Sequence, residues 1–106
     1  MSDAIGAMRA RVTLKRPTRV ADEIGGAALM WVNAGDAWAE ISAGVANEGA
    51  GYDGAPSVTG FTVRITRRDD VRARWRVAWG ARVLRVIGVR DDGEARIDLI
   101  CEEVIL

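Results

Sequence analysis

The sequence predicts an all-β fold, a small antiparallel β-barrel or sandwich of five to six strands with one long glycine-rich loop. Three observations carry this. Apolar and polar residues alternate with a period of two in several short stretches, the mark of strands with one buried face. Turn residues separate those stretches, and no stretch keeps the 3.6-residue period of an amphipathic helix. The chain has 106 residues, which is enough for one core and too little for two. We therefore read residues 1–106 as a single domain with an internal loop at 43–59.

The elements follow in order. Residues 2–8 are short and mixed, suited to one helical turn or an arm. Arg9 to Arg16 alternates Val12 and Leu14 with Arg11, Thr13 and Lys15 and reads as a strand. Pro17 is expected to end it, because proline cannot donate to a ladder. Thr18 to Ala27, with Gly25-Gly26, reads as a loop. Leu29 to Val32 starts a second strand, Asn33-Ala34-Gly35 interrupts it as a bulge or turn, and Ala37 to Ser42 continues it. There Trp38 and Glu40 share one face and Ala37, Ala39 and Ile41 the other. Gly60 to Arg90 reads as three strands: Phe61, Val63 and Ile65 alternate with Thr62, Arg64 and Thr66; Trp75, Val77 and Trp79 follow; Arg82 to Arg90 comes after Gly80. Short turns between them predict an antiparallel meander on which the rest packs. Asp91-Asp92-Gly93 is a hairpin turn. Ala95 to Glu103 is the last strand, with Ile97, Leu99 and Cys101 on one face.

Ala43 to Thr59 departs from all of this. It holds Gly44, Gly49, Gly51 and Gly54, a single large side chain, Tyr52, and only two charges, Glu48 and Asp53, both negative. A structureless stretch of that length inside a small domain is uncommon and tends to be functional or disordered.

Composition excludes several kinds of chemistry. There is no histidine, so the commonest general base and metal ligand is missing. A lone Cys101 cannot build a zinc site or an internal disulfide, and its apolar surroundings suit a buried thiol. Ser2, Ser42 and Ser57 have no histidine to activate them. No glycine pattern ends in the Lys-Ser or Lys-Thr of a phosphate cradle. Paired acids such as Asp69-Asp70 and Asp91-Asp92 suit solvated turns better than acid–base work. The reading is of a protein that is not an enzyme and takes no metal or cofactor. No apolar run approaches a membrane span, and the N-terminus lacks the pattern of a signal peptide, which points to synthesis in the cytoplasm.

Charge is balanced, 15 basic against 15 acidic residues, but zoned. Arg9, Arg11, Lys15, Arg16 and Arg19 make the start basic; 20–63 has no basic residue; Arg64, Arg67, Arg68, Arg72, Arg74 and Arg76 crowd one stretch; acids dominate after Asp91. Such zoning suits head-to-tail contact between copies, or pairing across neighbouring strands within one chain. Trp31, Trp38, Trp75 and Trp79 beside arginines raise a base-stacking platform as another use. Against it, Trp75 and Trp79 lie on the Val77 face, Trp31 and Trp38 flank the bulge as sheet anchors, and nucleic-acid binders usually carry surplus basic charge.

The order of these pieces resembles the bacteriophage head–tail joining proteins, also called head-closure or stopper proteins, which have relatives in gene transfer agents. The resemblance runs over almost the whole chain. It is carried by Gly6, Met8, Arg9, Arg11-Val12-Thr13-Leu14 and Arg16-Pro17; by Gly25-Gly26 and Trp31; by Trp38-Ala39-Glu40-Ile41; by Val63-Arg64-Ile65; by Arg76-Val77 and Gly80-Ala81-Arg82-Val83-Leu84; and by Leu99 and Glu102. This chain has Phe61 where the family often has histidine, and its long loop lacks the usual Ser-Gly-Glu-like start. The resemblance implies a β-barrel assembled as a hexameric ring in the neck of a virion or phage-like particle. A portal or adaptor ring would lie on the head side and a tail terminator or tail tube on the tail side, with double-stranded DNA passing through and no membrane involved. It places the loop in the channel, with Gly44, Glu48, Gly49, Gly51, Tyr52, Asp53 and Gly54 as candidates. The zoned charges and apolar tail supply candidates for contact between subunits: Arg64, Arg67, Arg68, Arg74, Arg76, Glu102, Glu103, Ile105 and Leu106. The neighbouring adaptor or tail-terminator ring is the alternative within this class. A small barrel that binds nucleic acid is the alternative outside it.

Overall fold

The computed structural model describes residues 7–44 and 60–105. They form six strands: β1 (Ala7–Ala21), β2 (Ala27–Ala43), β3 (Gly60–Thr66), β4 (Arg76–Trp79), β5 (Arg82–Arg90) and β6 (Arg96–Val104). All pairings are antiparallel, and the sheet closes on itself in the order β1-β2-β3-β6-β5-β4. Among the described residues there is no helix.

Alternation fills the barrel. Val12 and Leu14 of β1, Ala39 and Ile41 of β2, Phe61, Val63 and Ile65 of β3, Val77 of β4, Leu84 and Val86 of β5, and Ile97, Leu99 and Cys101 of β6 all point inward and are buried. Each such aliphatic side chain, taken from water, contributes about 1.5–3 kcal/mol. Cys101 is part of this packing, and burial pushes its thiol up to about 12; it stays a neutral thiol at physiological pH.

Two of the expected hairpins are present, β4–β5 and β5–β6, but the expected meander is not. β3 lies between β2 and β6, not beside β4. β4 instead sits between β1 and β5. The alternation in 60–90 fixes which face of each strand is buried, but it is silent about which strand is the neighbour. β6 is the longer, more apolar partner, and it pairs with β3 from Gly60↔Glu102 to Thr66↔Arg96. The connection 67–75 therefore crosses one end of the barrel. Its Val71 and Trp75 turn inward and plug that end. It is pinned by Arg67 N–H donating to Ala95 O (2.9 Å) and Arg74 N–H donating to Val86 O (2.8 Å).

The first hairpin is also longer than expected. Residues 18–21 and Ala27, read above as loop, are strand, and so are Ala7, Met8 and Ala28. The turn shrinks to Asp22–Gly26. There the Asp22 carboxylate accepts from the N–H groups of Ile24 (3.0 Å) and Gly26 (2.9 Å), and Gly25 takes φ +87°. Pro17 does not end β1; it pairs with Trp31 inside the strand. It is tolerated because β4 reaches only Thr13 to Lys15, so beyond Lys15 the other side of β1 is an open edge. Opposite Leu14, β2 carries an extra residue in a bulge at Ala34-Gly35, where Gly35 has φ +115°. This is the interruption the sequence suggested. Trp38, however, does not anchor the sheet: it is 67% exposed on the outer surface, with the Arg11 guanidinium 5.8 Å from its ring centroid.

Strand directions separate the two ends of the barrel. One end carries the β1–β2 hairpin, the 67–75 crossing and the Asp91–Ala95 turn. The opposite end carries Gly44 and Gly60, the Gly80-Ala81 turn and Ile105 after β6.

Leu14 is wholly buried at the strand that closes the barrel. Leu14→Ala is expected to lower unfolding free energy by about 2–5 kcal/mol. Trp38→Ala should cost less than about 1 kcal/mol for an exposed side chain. Denaturant melts of both variants check the contrast.

Candidate functional site

The segment expected to do the work, 45–59, is inserted between β2 and β3 at the second end of the barrel. Of its candidates, Gly44 lies just past β2; Glu48, Gly49, Gly51, Tyr52, Asp53 and Gly54 lie outside the described residues. The base of the insertion is well defined. β2 and β3 pair up to Ala43↔Phe61, and Gly44 N–H donates to Gly60 O at 2.6 Å. The two ends of the segment are therefore clamped side by side.

Beside that clamp is an aromatic and ionic cluster the sequence reading did not single out. Phe61 and Trp79 meet edge to face, with ring centroids 5.7 Å apart and planes at 79°. The Arg82 guanidinium sits 5.1 Å from the Phe61 centroid and 4.8 Å from that of Trp79. It also grips Glu103 through two hydrogen bonds of 3.1 and 2.8 Å. That grip holds the Glu103 carboxyl below its ordinary range and raises Arg82 above its own. Phe61 follows from this: buried under Trp79, the position needs an aromatic ring and offers a titrating group no place in water. The usable sequence signal was Gly80-Ala81-Arg82, a turn that places a cation beside the preceding tryptophan.

About half of the zoned basic residues find carboxylate partners within the chain, across strands or within the connections. Arg64 forks onto Asp98 (2.8 and 3.3 Å), and Arg90 joins the same carboxylate at 3.3 Å. Arg67 pairs with Asp91. Arg68 pairs with Asp70 (2.9 Å) and donates to Ala34 O (3.0 Å), tying the 67–75 crossing to the β2 bulge. Glu102 pairs with Arg85, and Arg96 reaches Glu40 at 2.9 Å. The Arg76 guanidinium sits over Trp31, 4.3 Å from its centroid. Of the residues proposed for contact between copies, Arg74 and Ile105 remain outward, Ile105 at 86% exposure. Leu106 lies outside the described residues.

Asp98 is the one buried carboxylate among the described residues. Hydrogen bonds from Arg64, then from Arg90, hold it below the usual carboxylate range against the cost of burial. Among the described residues no three histidine, cysteine or carboxylate groups converge as metal ligands would.

By fold and site, the chain is a small closed β-barrel that clamps an inserted segment at one end. It belongs to the phage head completion protein family, whose model matches residues 4–104; this is a family of structural phage head proteins. Two solved structures are similar. One is a Shigella flexneri 2a protein solved in solution, with 24% identity, TM-score 0.71, and coverage of 93% of this chain and 95% of that one. It shows the same fold. The other is a chain from the virion of a native gene transfer agent particle, with 28% identity, TM-score 0.67, and coverage of 91% and 94%. No curated protein matches the chain. The resemblance drawn from the sequence is thus confirmed at the level of family and fold.

A depressed carboxyl contributes stability that is present above its unfolded pKa of about 3.9 and is lost as pH falls through the lower folded value. Asp98→Asn is therefore expected to cost about 1–2 kcal/mol at pH 7, a figure kept small because both guanidiniums are half exposed and screened. The gap to the parent should narrow below about pH 4. Melts from pH 7 down to pH 2.5 measure both.

Proposed function

We propose that this chain is a head-closure component of stopper type. Copies assemble as a ring, a hexamer by the family resemblance, in the neck of a virion or phage-like particle. The ring joins the portal–adaptor stack to the tail terminator or tail tube, and residues 43–59 of each copy obstruct the DNA channel until the DNA leaves. The observation that carries the reading is the Gly44–Gly60 clamp, set in a protein of a phage head family. It holds a fifteen-residue insertion, 45–59, by both ends at one end of a rigid barrel. The similarity to a chain of a gene transfer agent virion supports the setting.

The charge of the insertion suits a gate that DNA must pass. Glu48 and Asp53 are its only charges. A lumen ringed by carboxylates repels phosphate, so the duplex slides; a lumen of arginines would exchange counterions with it and hold it. In this role the protein performs no reaction, needs no cofactor and contacts no membrane. The pairing of Arg64, Arg67, Arg68, Arg82, Arg85 and Arg96 with carboxylates weakens the case for a free nucleic-acid module. Arg16, Arg19, Arg74 and Arg76 stay without an ion pair among the described residues, but the chain as a whole carries no surplus of basic charge.

Replacing 45–59 with a short Asn-Gly turn across the Gly44–Gly60 pair keeps the barrel. Particles carrying that change are expected to build heads and tails but to lose DNA or fail to join, as scored by microscopy and nuclease-protected DNA. Normal retention and joining would contradict the gate.

A further inference from the structure

The β1–β2 hairpin leaves the barrel as a two-stranded arm. Past Lys15, β1 has no neighbour but β2, and β2 has no neighbour on its far side until Glu40. The arm face that continues the barrel interior carries Val20, Met30 and Val32, exposed although their parity is that of the core residues Val12 and Leu14. At the tip, Ile24 is 91% exposed, and Glu23 beside it has no ion-pair partner among the described residues. Isolated hairpins gain little stability alone, and contiguous exposed apolar surface of this kind marks an interaction site.

A surface that fits this tip lies on the outer face of β5. In the cyclic strand order, β5 stands opposite β2. A bulge between Val86 and Gly88 turns Ile87 outward, 49% exposed. It lies in a shallow depression of about 350 Å³ with Arg74, Arg85 and Glu102 on its walls. Arg85 and Glu102 neutralise each other, which leaves Arg74 as the cation of the depression without a carboxylate partner among the described residues. Arg74 is also the one described non-glycine residue with positive φ, +82°. Such a conformation costs of order 1 kcal/mol and tends to persist where placement of the side chain matters.

We propose that the arm of one copy docks on the β5 face of the next copy, Ile24 entering the depression at Ile87 and Glu23 meeting Arg74. The partner is a second copy because the two surfaces match in both terms: an apolar knob flanked by an acid, and an apolar recess flanked by a base. They are two different surfaces of the chain, so the contact is heterologous, and repetition of it runs head to tail and closes as a ring when the rotation allows. Val20, Met30 and Val32 then gain the cover the single chain lacks. The inference rests on the ring reading above and names the surface that would build it.

The test uses particles assembled with the full-length Ile24→Cys/Ile87→Cys chain and oxidised before denaturing electrophoresis. A head-to-tail contact gives a ladder beyond the dimer in the double variant. Each single variant, lacking one of the two sulfurs, gives none. Buried Cys101 stays out of the exchange. Several copies per particle with no ladder would overturn the arm contact and leave the ring standing. One copy per particle would overturn both. A second arm uses charge: Glu23→Arg or Arg74→Glu alone should weaken incorporation about tenfold, and the two together should restore most of it. Equal loss in the double exchange would contradict the pairing.

Discussion

Closure of this barrel depends on one short ladder. Thr13, Leu14 and Lys15 of β1 meet Ala78, Val77 and Arg76 of β4, and nothing else joins the first strand to the second half of the sheet. Leu14 and Val77, both fully buried, face each other at its centre. A longer ladder would have covered the outer part of β1 and absorbed the arm into the barrel. A missing one would leave two open edges, a standing invitation to random pairing. Three pairs close the core and free the rest of the first hairpin.

That economy leaves the molecule with two distinct ends. At one, the β1–β2 arm stands clear of the core with its apolar face uncovered. At the other, Gly44 and Gly60 clamp the 45–59 segment beside the Phe61–Trp79–Arg82–Glu103 cluster. Ion pairs between strands hold the wall between them. Asp98 under Arg64 and Arg90 ties β3, β5 and β6 together, and Arg96 to Glu40 spans from β6 to β2. Exposed pairs of this kind contribute little each.

Much of this was legible in the sequence. Period-two alternation named almost every core residue, because a strand with one buried face leaves that trace whatever its neighbours. The bulge at Asn33–Gly35 and the turn at Asp91–Gly93 were legible from their glycines. Strand adjacency was not. β3, β4 and β5 are consecutive and alternate alike, yet β3 pairs with β6 through the 67–75 crossing, a choice made by tertiary packing of Val71 and Trp75. Pro17 misled for a related reason: its effect depends on whether its edge is paired, and that depends on how far β4 reaches. At the site, the glycines of 43–59 and the loss of any period there located the insertion. Arg82 and Trp79 were missed as a cluster because they meet Phe61 only once the barrel closes. Arg74 was named from the crowded arginine stretch, but its positive φ shows only in the structure.

The claim that most needs testing is the orientation of the two ends in an assembled particle. Electron cryomicroscopy of the neck measures it directly. The account predicts a closed ring of copies with the Gly44–Gly60 end of every barrel turned toward the DNA axis and each β1–β2 arm lying on the next copy at larger radius. A ring with the arm ends turned inward and 45–59 on the outside, or a neck holding a single copy, would contradict it.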